Sequence, residues 1–324
     1  MRIYDNTFLQ AISCPLKVYH LASEQQEKNK KKVSYRHRNK LRLRDVISLQ
    51  YENQKFTSDS IRSAEEETES WLKEESVAIC GAVLRSGNLV TRIPILVKNR
   101  DHFTLIQVHG KLRKRVQGDE IQWPVQSRST ASYLLKAAYR SFVLLQSREI
   151  SSLNVTLYFP NRAYRSTEEN LLHTLSGIRE AQGNPDSSVK ADDLFAAVDA
   201  TDAARKCMEN IPESVSHPIF VGKSVEEACR FIEEKPLENG NILDISIHKE
   251  CKYCEFRRET TGAYTGCWNQ FFPDKNVELP DLHVYELIGH GNDEESEKGY
   301  HYQEQVPTTE PYSSFENIQQ SGGK

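Results

Sequence analysis

Apolar residues recur along this chain with two different spacings, and their order predicts the elements of the fold. Short stretches rich in Val and Ile, separated by turn-forming residues such as Ser86-Gly87-Asn88, are typical of β-strands. Longer stretches with apolar residues three or four positions apart are typical of helices. The predicted strands are 77–84, 89–97, 102–108, 153–159 and 282–288, and the predicted helices are 60–75, 130–146, 192–209 and 224–234.

The order of these elements is helix, antiparallel strands, helix, strand and further helices. Such an order is typical of an α/β protein rather than of a helical bundle or a β-sandwich. We therefore predict an α/β fold in which a central mixed sheet is flanked by helices.

Composition is typical of a folded globular protein. A chain of 324 residues with 38% hydrophobic and 27% charged residues can bury a core without disulfide bonds. No run approaches the roughly 18 apolar residues of a membrane-spanning helix, and residues 1–5 lack the layout of a signal peptide. We expect a cytoplasmic protein with no membrane partner.

Three of the seven cysteines, Cys251, Cys254 and Cys267, lie close together in the sequence. In a reducing compartment such a group favours metal binding over disulfide bonds, and three interpretations stay open. The cysteines are chance neighbours, or they bind zinc together with His248. Alternatively, Cys14 completes a set of four thiolates, which is the ligand set of a [4Fe–4S] cluster. The scattered cysteines are predicted to be buried packing residues: Cys80, Cys207 and Cys229.

Charge is distributed unevenly along the chain. The formal net charge of −4 indicates no polyanion partner, yet residues 28–44 contain nine Lys or Arg and no acidic residue. With Tyr35 and His37 available for stacking, this basic segment suits a nucleic-acid backbone, either DNA or RNA. The alternative is a solvated loop that offsets the acidic tail. The candidate nucleic-acid-binding residues are Lys30, Lys31, Lys32, Arg36, Arg38, Lys40, Arg42 and Arg44.

Two motifs carry a resemblance to a known family. The N-terminal one is Ser13-Cys14-Pro15-Leu16-Lys17-Val18-Tyr19, and the C-terminal one combines Cys251-Lys252-Tyr253-Cys254-Glu255-Phe256-Arg257 with Cys267-Trp268. Together they resemble the RecB-like PD-(D/E)XK nuclease superfamily, in particular its CRISPR-associated iron–sulfur exonucleases and a bacterial domain family with a nuclease-like module. The resemblance covers about residues 8–307.

The resemblance implies a restriction-endonuclease-like core with a cysteine-cluster segment at its C-terminal end. It implies a [4Fe–4S] cluster on four cysteines, with zinc as the alternative: Cys14, Cys251, Cys254 and Cys267. The nuclease-fold domain would then span 1–275, closed by these cysteines, and a strand and polar tail would occupy 276–324.

The family's catalytic residues are missing from this sequence. Relatives place an acid on one strand, Asp on the next, Glu-x-Lys on the third and Gln on the following helix. The matching positions here are Gly81, Pro94, Gln107, His109 and Tyr139. Without clustered carboxylates Mg²⁺ or Mn²⁺ has no hard ligands, so we predict a catalytically inactive protein that binds nucleic acid or scaffolds a protein partner.

Two alternatives stay open beside that prediction. The first is an active exonuclease or flap nuclease with a displaced site built from Asp101, His109 and the remnant Lys111. In the inactive protein, His109 is instead expected to face a vacant groove. The second alternative is a zinc-stapled module for protein interaction.

Overall fold

The computed structural model describes residues 2–18, 35–110, 128–161, 194–234, 257–260 and 263–266. The chain divides into two units, Met1–Val18 with Gln25–Pro236, and Tyr19–Glu24 with Leu237–Lys324. The described part of the second unit is an antiparallel hairpin of β8 (Arg257–Thr260) and β9 (Ala263–Gly266). The predicted division at 275 therefore stays a prediction.

A mixed sheet of seven strands forms the centre of the described part of the first unit. The strands are β1 (Ile3–Tyr4), β2 (Gln54–Phe56), β3 (Ser76–Ser86), β4 (Leu89–Asn99), β5 (His102–Val108), β6 (Ser152–Pro160) and β7 (Phe195–Asp199). They lie in the order β2-β3-β4-β5-β6-β7, with β1 beside β4. Strands β3, β4 and β5 are antiparallel, whereas β6 runs parallel to β5.

Helices flank this sheet, which confirms the predicted α/β fold with a central mixed sheet. They are α1 (Asp5–Ser13), α2 (Tyr35–Ser48), α3 (Ile61–Trp71), α4 (Arg128–Ser147), α5 (Thr201–Glu209) and α6 (Val225–Glu234). The crossover from β5 to the parallel β6 contains α4, as such a connection requires. Within the described residues, no helix combines the length and apolar character needed to cross a membrane.

Local sequence explains where α3 begins and how it packs. The Ser63 N–H donates to the Ser60 Oγ at 3.5 Å, a cap at the helix N-terminus. On the buried side, the Thr68 hydroxyl donates to the Ala64 carbonyl and accepts from the Val83 N–H of β3 at 3.0 Å. The helix predicted at 60–75 is therefore confirmed, although it ends at Trp71.

The helix predicted over 192–209 is wrong in its first half. Residues Phe195–Asp199 form β7, which pairs antiparallel with β6, and α5 begins only at Thr201. The Ala-rich stretch has helical propensity, but pairing with β6 and burial of Phe195 and Val198 decide its conformation. The Asp199 carboxylate accepts from the Thr201 N–H at 2.8 Å, at the point where the strand gives way to the helix.

Residues 35–44 of the basic segment differ from the solvated loop considered as an alternative, whereas residues 28–34 lie outside the described residues. From Tyr35 onward the segment is helical and forms the first part of α2. Leu43, Val46 and Ile47 of α2 are buried in a cluster with apolar residues of β3 to β6. Because these residues hold α2 against the sheet, its basic residues are attached to a folded element.

The strand predicted at 282–288 lies outside the described residues.

Candidate functional site

The strand register brings three of the substituted catalytic positions together. Gly81 and Pro94 lie between the paired rows Cys80–Ile95 and Ala82–Ile93 of β3 and β4, and Pro94 and Gln107 lie directly beyond the Ile95–Ile106 pair of β4 and β5. Continued by one residue, this register puts Gly81, Pro94 and Gln107 in one row. Adjacent strands lie roughly 4.8 Å apart, so Pro94 lies next to both Gly81 and Gln107. None of the three can supply a carboxylate.

Gly81 adopts a backbone conformation that favours glycine. Its φ is +83°, and a Cβ placed on it would lie 2.7 Å from the Thr57 Oγ1. The same point lies 3.4 Å from the Arg92 Nε and 3.5 Å from the Arg44 Nη1. The position expected to hold an acid is therefore bordered by two guanidinium groups.

Arg92 is held in place by backbone acceptors of β3 and of the loop after β2. Its Nε donates to the Gly81 carbonyl at 3.3 Å, its Nη1 to the Asp59 carbonyl at 3.1 Å and its Nη2 to the Ser58 carbonyl at 2.5 Å. Burial, followed by the positive charge of Arg44, lowers the pKa of Arg92 from its usual value. Arginine nevertheless stays charged at neutral pH, so the row ends in a fixed positive charge.

Gln107 lies at the other end of the row and is only 1% exposed. Its Nε2 has no hydrogen-bond acceptor among the described residues. A buried amide without an acceptor lowers stability by about 1–3 kcal/mol relative to a satisfied one. Gln107 therefore lowers the stability of the fold at this position, and its neutral side chain supplies no negative charge to bind a metal ion.

His109 does not face an open groove, contrary to the expectation from sequence. It is 5% exposed and lies immediately after β5. Its ring contacts the Tyr133 ring with centroids 3.9 Å apart and stacks on the Phe159 ring at 5.1 Å. The aromatic packing makes His109 part of the interior between β5, α4 and β6.

Tyr139, the residue at the expected helix glutamine, is also a core residue. It is fully buried, its ring stacks on Phe8 at 4.5 Å, and its hydroxyl donates to the Ile3 carbonyl at 2.5 Å. Burial raises the pKa of this hydroxyl, which therefore stays protonated as a donor. Tyr139 thus ties β1 and α1 to α4.

The displaced catalytic site is not assembled by the described residues. Asp101 lies in the turn before β5 and His109 lies just beyond its other end. A strand of seven residues spans roughly 20 Å, so Asp101 and His109 cannot share a metal ion. Lys111 lies outside the described residues, and within them no three His, Cys, Asp or Glu side chains are grouped to hold a metal.

Cys14 lies where the chain leaves α1. Its backbone is extended, its N–H donates to the Gln10 carbonyl at 2.9 Å, and its side chain is buried. A buried thiol at a helix end fits a cluster ligand shielded from solvent. Residues 251, 254 and 267 lie outside the described residues, so the ligand set stays a prediction.

The cysteines expected to be packing residues are buried: Cys80, Cys207 and Cys229. Burial raises the pKa of Cys207 to about 11, which keeps this thiol protonated at neutral pH. Burial, and then the charge of Glu233, also raises the pKa of Cys229. Both thiols therefore suit packing better than metal binding.

The basic segment presents positive charge on the outer side of α2. Lys40 and Arg42 are exposed, whereas Arg44 is half-buried beside Gly81. For Arg36 and Arg38 the structure describes the helical backbone only, and Lys30, Lys31 and Lys32 lie outside the described residues.

A second helix extends this basic surface. The Lys136 Nζ of α4 donates to the Asn6 Oδ1 at 3.1 Å and lies 3.8 Å from the Asp5 carboxylate. Burial lowers the pKa of Lys136 to about 8, with further lowering by Arg140 and by Lys40 of α2. The charge of Lys40 on α2 therefore contributes to the electrostatic environment of Lys136 on α4.

Sequence reasoning missed Arg92 and Lys136. Arg92 interrupts the apolar stretch 89–97, and a charged residue within a predicted central strand is a signal that could have identified it. Lys136 gives no such signal, because a lysine in an amphipathic helix is ordinarily a surface residue. Its neighbours come from distant parts of the chain.

No family model, curated protein or solved structure matches this chain.

Proposed function

We propose that this chain is a catalytically inactive, RecB-like nuclease-fold protein that binds the phosphate backbone of nucleic acid and holds a [4Fe–4S] cluster. The observation that carries the proposal is the row Gly81–Pro94–Gln107, which offers no carboxylate and ends at the guanidinium groups of Arg44 and Arg92. Positive charge there repels divalent metal ions and attracts phosphate.

The element order supports the nuclease-fold part of the proposal. Helix α3, the antiparallel strands β3 to β5, helix α4 and the parallel strand β6 follow one another as the resemblance implies. The substituted strand positions also fall side by side, as positions of a former active site must.

The surface charge supports the nucleic-acid part. Lys40 and Arg42 are exposed on α2, and the charge of Lys40 acts on Lys136 of α4, so both helices contribute basic residues to the proposed surface. A surface of this kind recognises the sugar–phosphate backbone without reading bases.

Binding to a fluorescein-labelled single-stranded oligonucleotide tests the proposal. Affinity is expected to fall with rising salt, and Lys40→Ala and Arg42→Ala are each expected to lower the slope of log K against log salt by about 1. Fluorescence anisotropy between about 50 and 200 mM salt measures this for DNA and for RNA of the same sequence.

Arg62→Ala serves as the control, because Arg62 is exposed on α3 and paired with Glu66. It removes one positive charge from a helix other than α2 and α4 and is expected to leave the slope unchanged. Incubation with Mg²⁺ or Mn²⁺ is expected to leave the oligonucleotide intact. Shortened products, or affinity that does not respond to salt, would contradict the proposal.

A second prediction concerns the pH dependence of oligonucleotide binding, which we expect to depend on Lys136. With a pKa of about 8 in the free protein, Lys136 is charged at pH 7 and largely neutral at pH 9. A bound phosphate raises that pKa, so affinity for the oligonucleotide is expected to fall as pH rises from 7 to 9. The charged groups around it are Asp5, Arg140 and Lys40.

Lys136→Arg is the matched variant, because arginine keeps the charge throughout this range. Anisotropy titrations at fixed ionic strength should show the pH dependence in the natural sequence and not in Lys136→Arg. Equal dependence in both proteins would remove Lys136 from the binding surface.

A further inference from the structure

The guanidinium groups of Arg44 and Arg92 both lie beside Gly81. Each has hydrogen-bond donor capacity that its contacts with the described residues do not fully use. Arg44 donates from its Nε and Nη2 to the Asp45 Oδ1 at 2.9 and 2.7 Å. Its Nη1, which points to Gly81, has no acceptor among the described residues. The Nη1 of Arg92 makes one contact, to the Asp59 carbonyl, at an exposed position.

Only Arg44 of this pair has a direct ion pair among the described residues. Arg44 has a carboxylate partner in Asp45, with both side chains about one-sixth exposed or less. Arg92 instead donates to backbone carbonyls and the Thr57 hydroxyl. The carboxylates of Asp59 and Glu67 act on its charge without a direct ion pair. Two like charges within 3.5 Å of one point repel each other, and an anion bound there would relieve the repulsion.

We propose that Arg44 and Arg92 form a metal-independent binding site for a phosphate of the nucleic-acid backbone, at the end of the row Gly81–Pro94–Gln107. A phosphodiester oxygen would accept from the Nη1 groups of both arginines. Guanidinium groups suit this role because their planar donors match phosphate oxygens in pairs. The inference rests on the proposed function and adds where one phosphate lies.

Gly81 is what allows this arrangement. Because Gly81 has no Cβ, the Thr57 hydroxyl can approach and donate to the Gly81 carbonyl at 2.8 Å, and the same carbonyl accepts from the Arg92 Nε. In nucleases of the resembled superfamily a carboxylate and a metal ion meet the phosphate. Here the arginines would meet it directly, and they offer no activated water for cleavage.

The test uses the double variant Arg44→Gln/Asp45→Asn in the full chain. The double variant has the same net charge as the natural sequence, so a change in affinity reports the lost guanidinium rather than the total charge. The affinity for the labelled single-stranded oligonucleotide is expected to fall about ten-fold. Asp45→Asn alone releases Arg44 from its partner and is expected to tighten binding.

Arg44→Lys provides a second variant that keeps the charge and loses the planar pair of donors. It is expected to bind more weakly than the natural sequence and more tightly than the double variant. Thermal melting by circular dichroism checks that each variant is folded, and titration with inorganic phosphate alone shows whether the site needs a nucleic acid.

The outcomes separate this inference from the proposed function. If the natural sequence binds the oligonucleotide and the folded double variant binds equally well, the arginine site is wrong and nucleic-acid binding stands. If inorganic phosphate binds and is lost in the double variant while no oligonucleotide binds, the phosphate site stands and the proposed function is wrong. Binding of neither probe to the natural sequence overturns both.

Discussion

Cys14→Ser is expected to remove iron and acid-labile sulfide from protein purified without oxygen. The proposed [4Fe–4S] cluster needs four thiolates, and serine at position 14 leaves three. The natural sequence should be brown and absorb visible light, whereas the variant should be colourless or hold a labile remnant. Metal and sulfide analysis of fresh protein, together with visible spectra, measures the effect.

Cys207→Ser is the matched control, because Cys207 is also buried but is a packing residue of α5. It should keep the full iron content even if its stability changes. Stoichiometric zinc in the natural sequence would contradict the cluster and favour the zinc alternative. Iron retained in full by Cys14→Ser would exclude Cys14 from the ligands.

Asp5→Ala is expected to lower the free energy of unfolding by about 3–5 kcal/mol, the largest stability effect we predict for the described residues. Asp5 accepts from Arg140 at 2.6 and 2.8 Å and from the Thr91 hydroxyl at 2.5 Å, and both charged side chains are at most 10% exposed. Its removal leaves the Arg140 guanidinium buried without a counter-ion. Denaturant unfolding followed by circular dichroism measures the change.

Asp202→Ala gives the comparison for a surface pair. Asp202 contacts Arg205 at 2.6 Å, but both side chains are more than half exposed, so solvent screens the interaction. No measurable loss is expected. A loss for Asp5→Ala below about 1 kcal/mol would show that the Asp5–Arg140 pair is not the structural contact that its burial indicates.

The sheet could be predicted from sequence where local signals and tertiary packing agree. Strands β3, β4 and β5 have dense Val and Ile with turn residues between them, and their predicted bounds are correct to within two residues. Strand β7 was missed because its alanines favour a helix, and only pairing with β6 overrides that preference. Strands β1 and β2 are too short to leave a periodic signal.

The residues of the candidate site also fall into those that could be predicted from sequence and those that could not. The row Gly81–Pro94–Gln107 follows from correct alignment of three strands, so its members could be named from sequence. The burial of His109 against Tyr133 could not, because Tyr133 belongs to α4 and comes close only through the crossover. Arg44 was named as a basic residue, but its place beside Arg92 depends on how α2 packs on the sheet.

The tie between the chain's start and α4 has a consequence for synthesis on the ribosome. Tyr139 and Arg140 contact Ile3 and Asp5 across 136 and 135 residues of sequence. At a translation rate of about 5–20 residues per second, the residues of α4 that contact the N-terminal segment are made on the order of ten seconds after α1. During that interval Phe8 and Ile12, both buried in the finished fold, are exposed to other chains and to chaperones. Residues 3–12 are thus made well before the helix that covers them in the finished fold.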